Sequence, residues 1–228
     1  MARQTRDLDS MTDEEVEAEL ARLDRHRPTE HQLAGGAPRG FAALIAALAA
    51  LGTLASAQLI LAELEKLADP AGQLSCDINP LIGCGTFLER WESRALGFAN
   101  SILGTIAFAA LLALALALLA DSRLGRWVWR GMVAWTWGAL AFVLWFMSVS
   151  FFSVHSLCPW CLVVWLATLP IVIHVNSRAV QGGHLSYGRA VDRVLVADRW
   201  VLTIVAYALL AVAIIWAYWD KWVFILPV

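Results

Sequence analysis

The stretch 131–177 decides the fold: GMVAWTWGALAFVLWFMSVSFFSVHSLCPWCLVVWLATLPIVIHVNS. It contains no Asp, Glu, Lys or Arg. An α-helix rises about 1.5 Å per residue and needs about 20 residues to cross a hydrocarbon core of about 30 Å, so the stretch is long enough for two passes. Polar residues and a proline interrupt it near SFFSVHSLCPW, residues 150–160. We expect the chain to turn back there.

Similar uncharged runs lie on both sides of this stretch. They cover positions 40–62, 95–120 and 200–219, and each is long enough for one pass. Only helices and closed barrels satisfy every backbone group in lipid, and strand-like alternation is absent, so helices are favoured. The sequence therefore predicts an all-α, polytopic membrane protein with spans near 41–61, 99–119, 131–152, 158–176 and 200–219.

Composition supports this class. The 228 residues are 60% hydrophobic and 16% charged, whereas soluble domains are about 25% charged. The formal net charge is −2, so nothing indicates a partner among nucleic acids, and the lipid bilayer is the expected surrounding.

Lysine and arginine are distributed unevenly between the two predicted sides of the membrane. Thirteen of the 17 lie in the N-terminal segment or in the loops after the second and fourth spans, and four lie on the other side. The positive-inside rule then predicts a cytoplasmic N-terminus and an external C-terminus.

This topology divides the chain into four parts. They are a cytoplasmic segment 1–39, a four-helix bundle 40–177 with an external loop 62–98, a cytoplasmic loop 178–199, and a fifth span with an external C-terminus over 200–228. In the first part, Thr12 and Glu15 fit a capping box ahead of an apolar stripe, which predicts a short amphipathic helix. A docking helix and a solvated helix near the membrane are both open interpretations.

All four cysteines fall on the predicted external side. Cys76 and Cys84 lie in the loop between the first two spans, and Cys158 and Cys161 lie where the third span has emerged and the fourth begins. Disulfides persist in oxidising compartments. An external location of all four thiols suits disulfide chemistry.

The two cysteine pairs differ in local chemistry. In CPWC, Pro159 suits the first position of a helix, which makes Cys158 the N-cap, where the helix dipole favours thiolate and a reversible dithiol. In CDINPLIGC, the turn formers Asn79, Pro80 and Gly83 close a small loop. A zinc site is disfavoured because only one pair is short, while two structural disulfides remain an alternative.

The combined array resembles the vitamin K epoxide reductase family. The residues that carry the resemblance are Cys76-Asp77 through Cys84, then Asn100-Ser101-Ile102-Leu103-Gly104, then Cys158-Pro159-Trp160-Cys161. The resemblance covers about 40–175. It implies a four-helix bundle around a quinone, capped by the external loop, with electrons passing from a thioredoxin-like partner through the loop pair and the Cys-x-x-Cys pair to the quinone.

The resemblance also implies roles for single residues. Cys161 is expected to meet the quinone, Cys158 to exchange with the loop pair, and Cys76 and Cys84 to receive electrons from the partner. Asn100 matches the family asparagine that hydrogen-bonds a quinone carbonyl, although in membrane bundles such an amide often only hydrogen-bonds between helices.

Aromatic residues extend the expected quinone site. Trp165 follows Cys161 by four residues and so shares its helix face; an aromatic wall of the quinone site and plain packing are both open for it. Phe87, in the external loop, is a further candidate for contact with the quinone.

Histidines near the predicted thiol site have weaker cases. His155 precedes Cys158 by three residues, and it could favour thiolate or relay protons, or simply end the third span as an interfacial residue. His174 receives no role, and we expect no metal.

The expected reaction combines these features. Many bacterial members of the family carry a fused thioredoxin-like domain, whereas this sequence ends at Val228, so we expect a separate DsbA-like partner. In a bacterial inner membrane the chain would oxidise that partner and reduce a membrane quinone, menaquinone or ubiquinone. Potential differences set the direction of such an exchange. The fifth span is assigned to packing, and a non-enzymatic scaffold with two permanent disulfides is the competing function.

Overall fold

The protein is described from a computed structural model, which covers Thr12, residues 28–79 and residues 81–220. Over these residues the fold is all-α, and the only β-type pairings there are two isolated bridges. The α-helices of this part of the chain are α1 Glu30–Leu33, α2 Arg39–Ala68, α3 Gly85–Leu88, α4 Asn100–Leu119, α5 Arg126–Val149, α6 Pro159–Gln181, α7 Arg189–Ala197 and α8 Arg199–Ala217.

Five helices are long and apolar enough to cross a membrane. They are α2, α4, α5 with the turn that follows it, α6 and α8. The chain is therefore a multi-pass membrane protein, and the predicted all-α class with five spans is confirmed. The amphipathic helix predicted from Thr12 and Glu15 falls outside the described ranges, apart from Thr12 itself.

Several predicted helix ends were wrong. Helix α2 continues past residue 61 to Ala68, α5 begins at Arg126 instead of 131, and α6 continues past residue 176 to Gln181. A span read from uncharged runs stops at the first charge. Long charged side chains near a helix end can bury their stems and keep their heads in water, so the helix itself continues.

Helix α6 is the centre of the bundle and its most buried span. It packs against α2, α5, α7 and α8, while α2 also packs along α4. Helices α4 and α5 form no extensive interface with each other. The four cysteines lie at one end of the bundle, here called the cysteine end. Arg39, Arg126 and Arg178 lie at the other end, the arginine end.

Helix α6 contains a buried proline that leaves one of its carbonyls without the usual partner. Pro170 has no N–H to donate to the carbonyl of Leu166, four residues earlier. The hydroxyl of Tyr207 in α8 donates to that carbonyl at 2.8 Å. The fifth spanning helix therefore supplies a hydrogen bond that α6 cannot make for itself.

The chain reverses between α5 and α6 through a π-helical turn, Ser150–Val154, followed by His155 in the left-handed region with φ 55°. Ser150 Oγ donates to the carbonyl of Ser156 at 2.7 Å, which closes the reversal. The predicted break near residues 150–160 is confirmed, and we refer to residues 150–157 as the α5–α6 turn.

Candidate active site

Helix α6 begins at the Cys-x-x-Cys pair. Cys158 is its N-cap, Pro159 is its first residue, and the Cys158 sulfur accepts a hydrogen bond from the backbone N–H of Cys161 at 3.4 Å. The predicted cap is confirmed. Both cysteines are buried, unbonded thiols. A hydrogen bond from the Cys161 thiol lowers the pKa of Cys158, while burial acts in the opposite direction.

The loop between α2 and α4 holds the second pair, Cys76 and Cys84, as a disulfide. The carboxylate of Asp77 organises it. Asp77 Oδ1 accepts from the backbone N–H of Cys84 at 2.7 Å and of Gly85 at 3.0 Å, and Oδ2 accepts from that of Leu74 at 3.4 Å. One side chain thus binds both ends of the disulfide loop.

A second set of hydrogen bonds fixes this loop against the α5–α6 turn. Leu157 N–H donates to the carbonyl of Leu81 at 2.8 Å, and Gly83 N–H donates back to the carbonyl of Leu157 at 3.0 Å. Ser156 Oγ also donates to the carbonyl of Leu81, at 2.9 Å. These bonds form a strap, defined here as residues 81–83 paired with 156–157, that covers the start of α6.

The strap brings the two cysteine pairs together. The sulfur of Cys84 lies 3.8 Å from the sulfur of Cys158. Cys84 is completely buried and Cys76 is 6% exposed. Sequence reasoning left open which loop cysteine faces Cys158, and in the structure it is Cys84.

A cavity of about 560 Å³ lies beside the Cys-x-x-Cys pair, among α2, α4, α5 and α6. It extends along α6 from Cys161 to Val172, and α4 and α5 form its two sides where they are not packed together. Its lining is almost entirely apolar and includes Leu59, Leu103, Phe108, Phe142, Phe146 and Val164. The cavity suits a flat or elongated apolar molecule.

Asn100 provides a polar group in this cavity. Its Nδ2 donates to the carbonyl of Glu92 at 2.6 Å, and its Oδ1 is buried without a hydrogen-bond partner among the described residues. The amide also has a second Nδ2 hydrogen. Asn100 could therefore donate to a carbonyl and accept from a hydroxyl in the cavity.

The carbonyl that holds Asn100 belongs to a fixed segment. Glu92 is buried and accepts two hydrogen bonds from the guanidinium of Arg90, at 2.9 and 3.1 Å. Arg90 also donates to Ser153 Oγ at 2.7 Å. The bonds from Arg90 hold the pKa of Glu92 below its usual value. This ion pair joins the loop to the α5–α6 turn.

The remaining candidates lie at different distances from the cavity. Trp165 lines it and packs edge-on against Phe151. Phe87 is not among the lining residues; its ring packs against that of Phe146, which does line the cavity, with centroids 5.8 Å apart. His155 is exposed and does not line the cavity.

His174 lies away from the thiols, near the arginine end. It packs against Trp200 and lies 3.4 Å from Thr203 Oγ1. Across the described ranges, no group of three or more His, Cys, Asp or Glu side chains could hold a metal ion.

Sequence reasoning missed Asp77 as an organising residue, although a signal was present. A Cβ added at Gly83 would lie 2.7 Å from Asp77 Oδ1, and one added at Gly85 would lie 3.0 Å from Oδ2. The glycines on both sides of Cys84 thus leave room for the carboxylate. An acidic residue directly after the first cysteine, with glycines flanking the second, is the pattern that could have indicated it.

Comparison with known proteins gives one result for this arrangement. The sequence model described as the vitamin K epoxide reductase family matches residues 43–176, which is more than half of the chain. The match contains the four cysteines, Asn100 and Trp165, and it ends before α7 and α8. No curated protein matches the chain.

Proposed function

The chain belongs to the vitamin K epoxide reductase family, and on that basis we propose that it is a membrane thiol–quinone oxidoreductase that reoxidises a thioredoxin-fold partner. One observation carries the proposal. The disulfide sulfur of Cys84 lies 3.8 Å from Cys158, and Cys161, one helical turn further on, lines the apolar cavity. A thiol relay and a site for an apolar oxidant are therefore adjacent.

The relay consists of balanced thiol–disulfide exchanges. A partner dithiol reduces the Cys76–Cys84 bond and becomes a disulfide. The Cys84 thiolate then attacks the sulfur of Cys158 in a Cys158–Cys161 disulfide, so that a Cys84–Cys158 bond forms and Cys161 leaves as thiolate. Cys76 attacks Cys84, the loop disulfide forms again, and Cys158 leaves as thiolate. Two electrons then reside on Cys158 and Cys161.

The described residues would be in this last state, with the loop pair oxidised and the Cys-x-x-Cys pair as free thiols. A bound quinone, menaquinone or ubiquinone, accepts two electrons and two protons. Cys161 would present its thiol to that molecule, Asn100 would orient it through its amide, and Trp165 would form an aromatic wall. The mostly apolar lining would disfavour water around the bound molecule. Phe87 would act indirectly, by supporting Phe146.

We further propose that Cys76 meets the partner. It is the more exposed loop cysteine, and Cys84 faces Cys158. A Cys84→Ala variant would then trap the partner on Cys76, whereas a Cys76→Ala variant would trap Cys84 on Cys158. Trapping in the opposite sense would reverse the assignment, and no trapped link in either variant would contradict the relay.

The proposed location is a bacterial inner membrane with the cysteine end outside and the partner a separate DsbA-like protein. Arg39, Arg126 and Arg178 lie at the end of the bundle opposite the cysteines, which agrees with a positive-inside orientation. Labelling of vesicles of known orientation with a membrane-impermeant thiol reagent tests this, once the loop disulfide has been reduced.

Quinone-dependent loss of thiols tests the function itself. The purified protein in detergent is fully reduced, incubated with or without a soluble quinone, denatured in acid and alkylated with a maleimide. Two thiols per chain should become protected for each quinone reduced, and Cys161→Ala should abolish the loss. The competing function, a scaffold with two permanent disulfides, predicts the same thiol count with and without quinone. That result would refute the enzyme.

A further inference from the structure

The fifth spanning helix, α8, lies outside the family match, yet the residue at its end reaches the thiol site. Tyr218 directly follows α8 at the cysteine end and is only 1% exposed. Its ring packs edge-on against Phe151, with centroids 5.9 Å apart, and Phe151 in turn packs against Trp165. Tyr218 is thus part of the core that surrounds the cysteines.

The hydroxyl of Tyr218 closes the α5–α6 turn. It lies 2.8 Å from the carbonyl oxygen of Ser156 and 3.1 Å from that of Ser150, at the two ends of the reversal. It also lies 3.2 Å from Ser150 Oγ. Buried carbonyls need donors. The hydroxyl has one hydrogen, which it can donate to either of these carbonyls or share between them, so Tyr218 ties the turn to the end of the fifth span.

The residues held by Tyr218 are the ones that set the distance between the cysteine pairs. Ser156 donates to the carbonyl of Leu81 through its side chain. The backbone N–H and carbonyl of Leu157 also bond to the loop, to the Leu81 carbonyl and the Gly83 N–H. Cys158 follows immediately. A displacement of the turn would therefore move the strap and the Cys158 sulfur relative to Cys84.

We propose that Tyr218 is a positioning residue for the exchange between Cys84 and Cys158, and that the fifth spanning helix takes part in the reaction through it. The inference rests on the relay proposed above. In the exchange, the Cys84–Cys158 bond forms, the Cys158–Cys161 bond breaks, and Cys161 leaves as thiolate. Tyr218 is not one of the groups that exchange bonds; its hydroxyl holds the backbone turn that leads into Cys158.

Two tyrosine variants, one in α8 and one at its end, give a matched test. Tyr218→Phe removes only the hydroxyl that binds the turn. Tyr207→Phe removes a hydroxyl of the same helix that donates to the carbonyl of Leu166 in α6. Both variants lose a hydrogen bond from α8 to a backbone carbonyl, but only Tyr218→Phe affects the α5–α6 turn.

The experiment is carried out on the full chain in a Cys76→Ala background, which lacks the cysteine that resolves the intermediate. Reduced protein is mixed with quinone, and samples are quenched in acid over time. Loss of quinone absorbance follows the quinone step, and mass spectrometry of the linked peptides follows the Cys84–Cys158 bond. Thermal unfolding of each variant is measured in parallel.

Tyr218→Phe should slow formation of the Cys84–Cys158 link about tenfold, because small displacements of reacting groups have large effects on rate. The quinone step should stay unchanged, and Tyr207→Phe should leave both steps unchanged even if the two variants lose equal thermal stability. If Tyr218→Phe forms the Cys84–Cys158 link as fast as the parent, or if Tyr207→Phe slows it as much as Tyr218→Phe does, the inference is overturned.

Failure of the proposed function is recognised separately. If the parent itself consumes no quinone, the quinone reaction is refuted. Diamide then replaces quinone as the oxidant that joins Cys158 to Cys161, and the same comparison of the two tyrosine variants still decides the role of Tyr218. Ser156→Ala provides a second probe, since it removes the bond from the turn to Leu81 and should slow the same step.

Discussion

Replacing Asp77 by Ala should release the disulfide loop from its fixed position above helix α6. The carboxylate accepts hydrogen bonds from Cys84 at 2.7 Å and from Gly85 at 3.0 Å, and both residues are buried. The third bond, from Leu74 at 3.4 Å, is long. Hydrogen bonds to charged groups contribute about 1.5–3 kcal/mol each. We take the lower value for the two short bonds because Asp77 is half-buried.

The loss for Asp77→Ala is then about 3 kcal/mol of local stability. Every 1.4 kcal/mol is about a factor of ten, so the population in which the loop is open should rise about a hundredfold. Asp77→Asn keeps one neutral acceptor oxygen and should lose about half of this free energy. Formation of the Cys84–Cys158 link should slow more in Asp77→Ala than in Asp77→Asn, because an open loop separates the two sulfurs.

Hydrogen exchange measured by mass spectrometry on the loop peptide tests this, with the disulfide intact and the protein in nanodiscs, since local opening sets the exchange of protected amides. Asp69→Ala is the matched control. It removes the same charge from the same loop, and the Asp69 side chain is exposed. Unchanged exchange at Cys84 and Gly85 in Asp77→Ala, or equally increased exchange in Asp69→Ala, would refute the reasoning.

Three further predictions concern the thiols and the cavity. Trp165→Ala should raise the quinone KM several-fold and leave the Cys84–Cys158 exchange intact. Trp127→Ala, whose side chain is exposed, should change neither step. Stopped-flow measurement follows both steps, and an unaffected quinone step would show that Trp165 does not belong to the quinone site. Cys161→Ala should raise the pKa of Cys158, because it removes the hydrogen bond that lowers this pKa most. The rate of Cys158 alkylation should therefore rise at a higher pH in Cys161→Ala than in Cys161→Ser, where the hydroxyl can still donate. The same pH profile in the two variants would contradict this. Gly138→Leu should raise the quinone KM, since Gly138 lines the cavity and a side chain there would extend into open space. Ala141→Leu lies outside the lining and should leave the KM unchanged. Equal KM values for the two variants in steady-state assays would show that the α5 side of the cavity does not bind the quinone.

The spans and the start of α6 were predictable because each depends on local sequence. Uncharged runs fix where helices cross, and a Cys-Pro step fixes a helix N-cap. The ends of α2 and α6 were not predictable by the same rule, since charged residues such as Lys66 and Arg178 continue these helices.

The geometry of the thiols required information that no local pattern contains. Cys84 faces Cys158 because residues 81–83 pair with 156–157, which lie far apart in the chain. Tyr218 at the end of an apolar span has the sequence signature of an interfacial aromatic residue, and only tertiary packing reveals its contacts with the turn. Phe87 was a candidate for contact with the quinone from its place in the external loop; in the structure its ring packs against Phe146, which lines the cavity, while Phe87 itself does not.

The proline in α6 has a consequence for how the protein is made. Until Tyr207 has been synthesised, the carbonyl of Leu166 lacks the donor that it has in the finished bundle. Unsatisfied backbone groups are costly in hydrocarbon. We therefore expect the fourth span to be incompletely packed until the ribosome has added α7 and about the first half of α8, up to Tyr207. It should pack fully once the last span has entered the bilayer. Chains arrested before Tyr207 should be recognised by membrane quality control, whereas chains arrested after α8 should not.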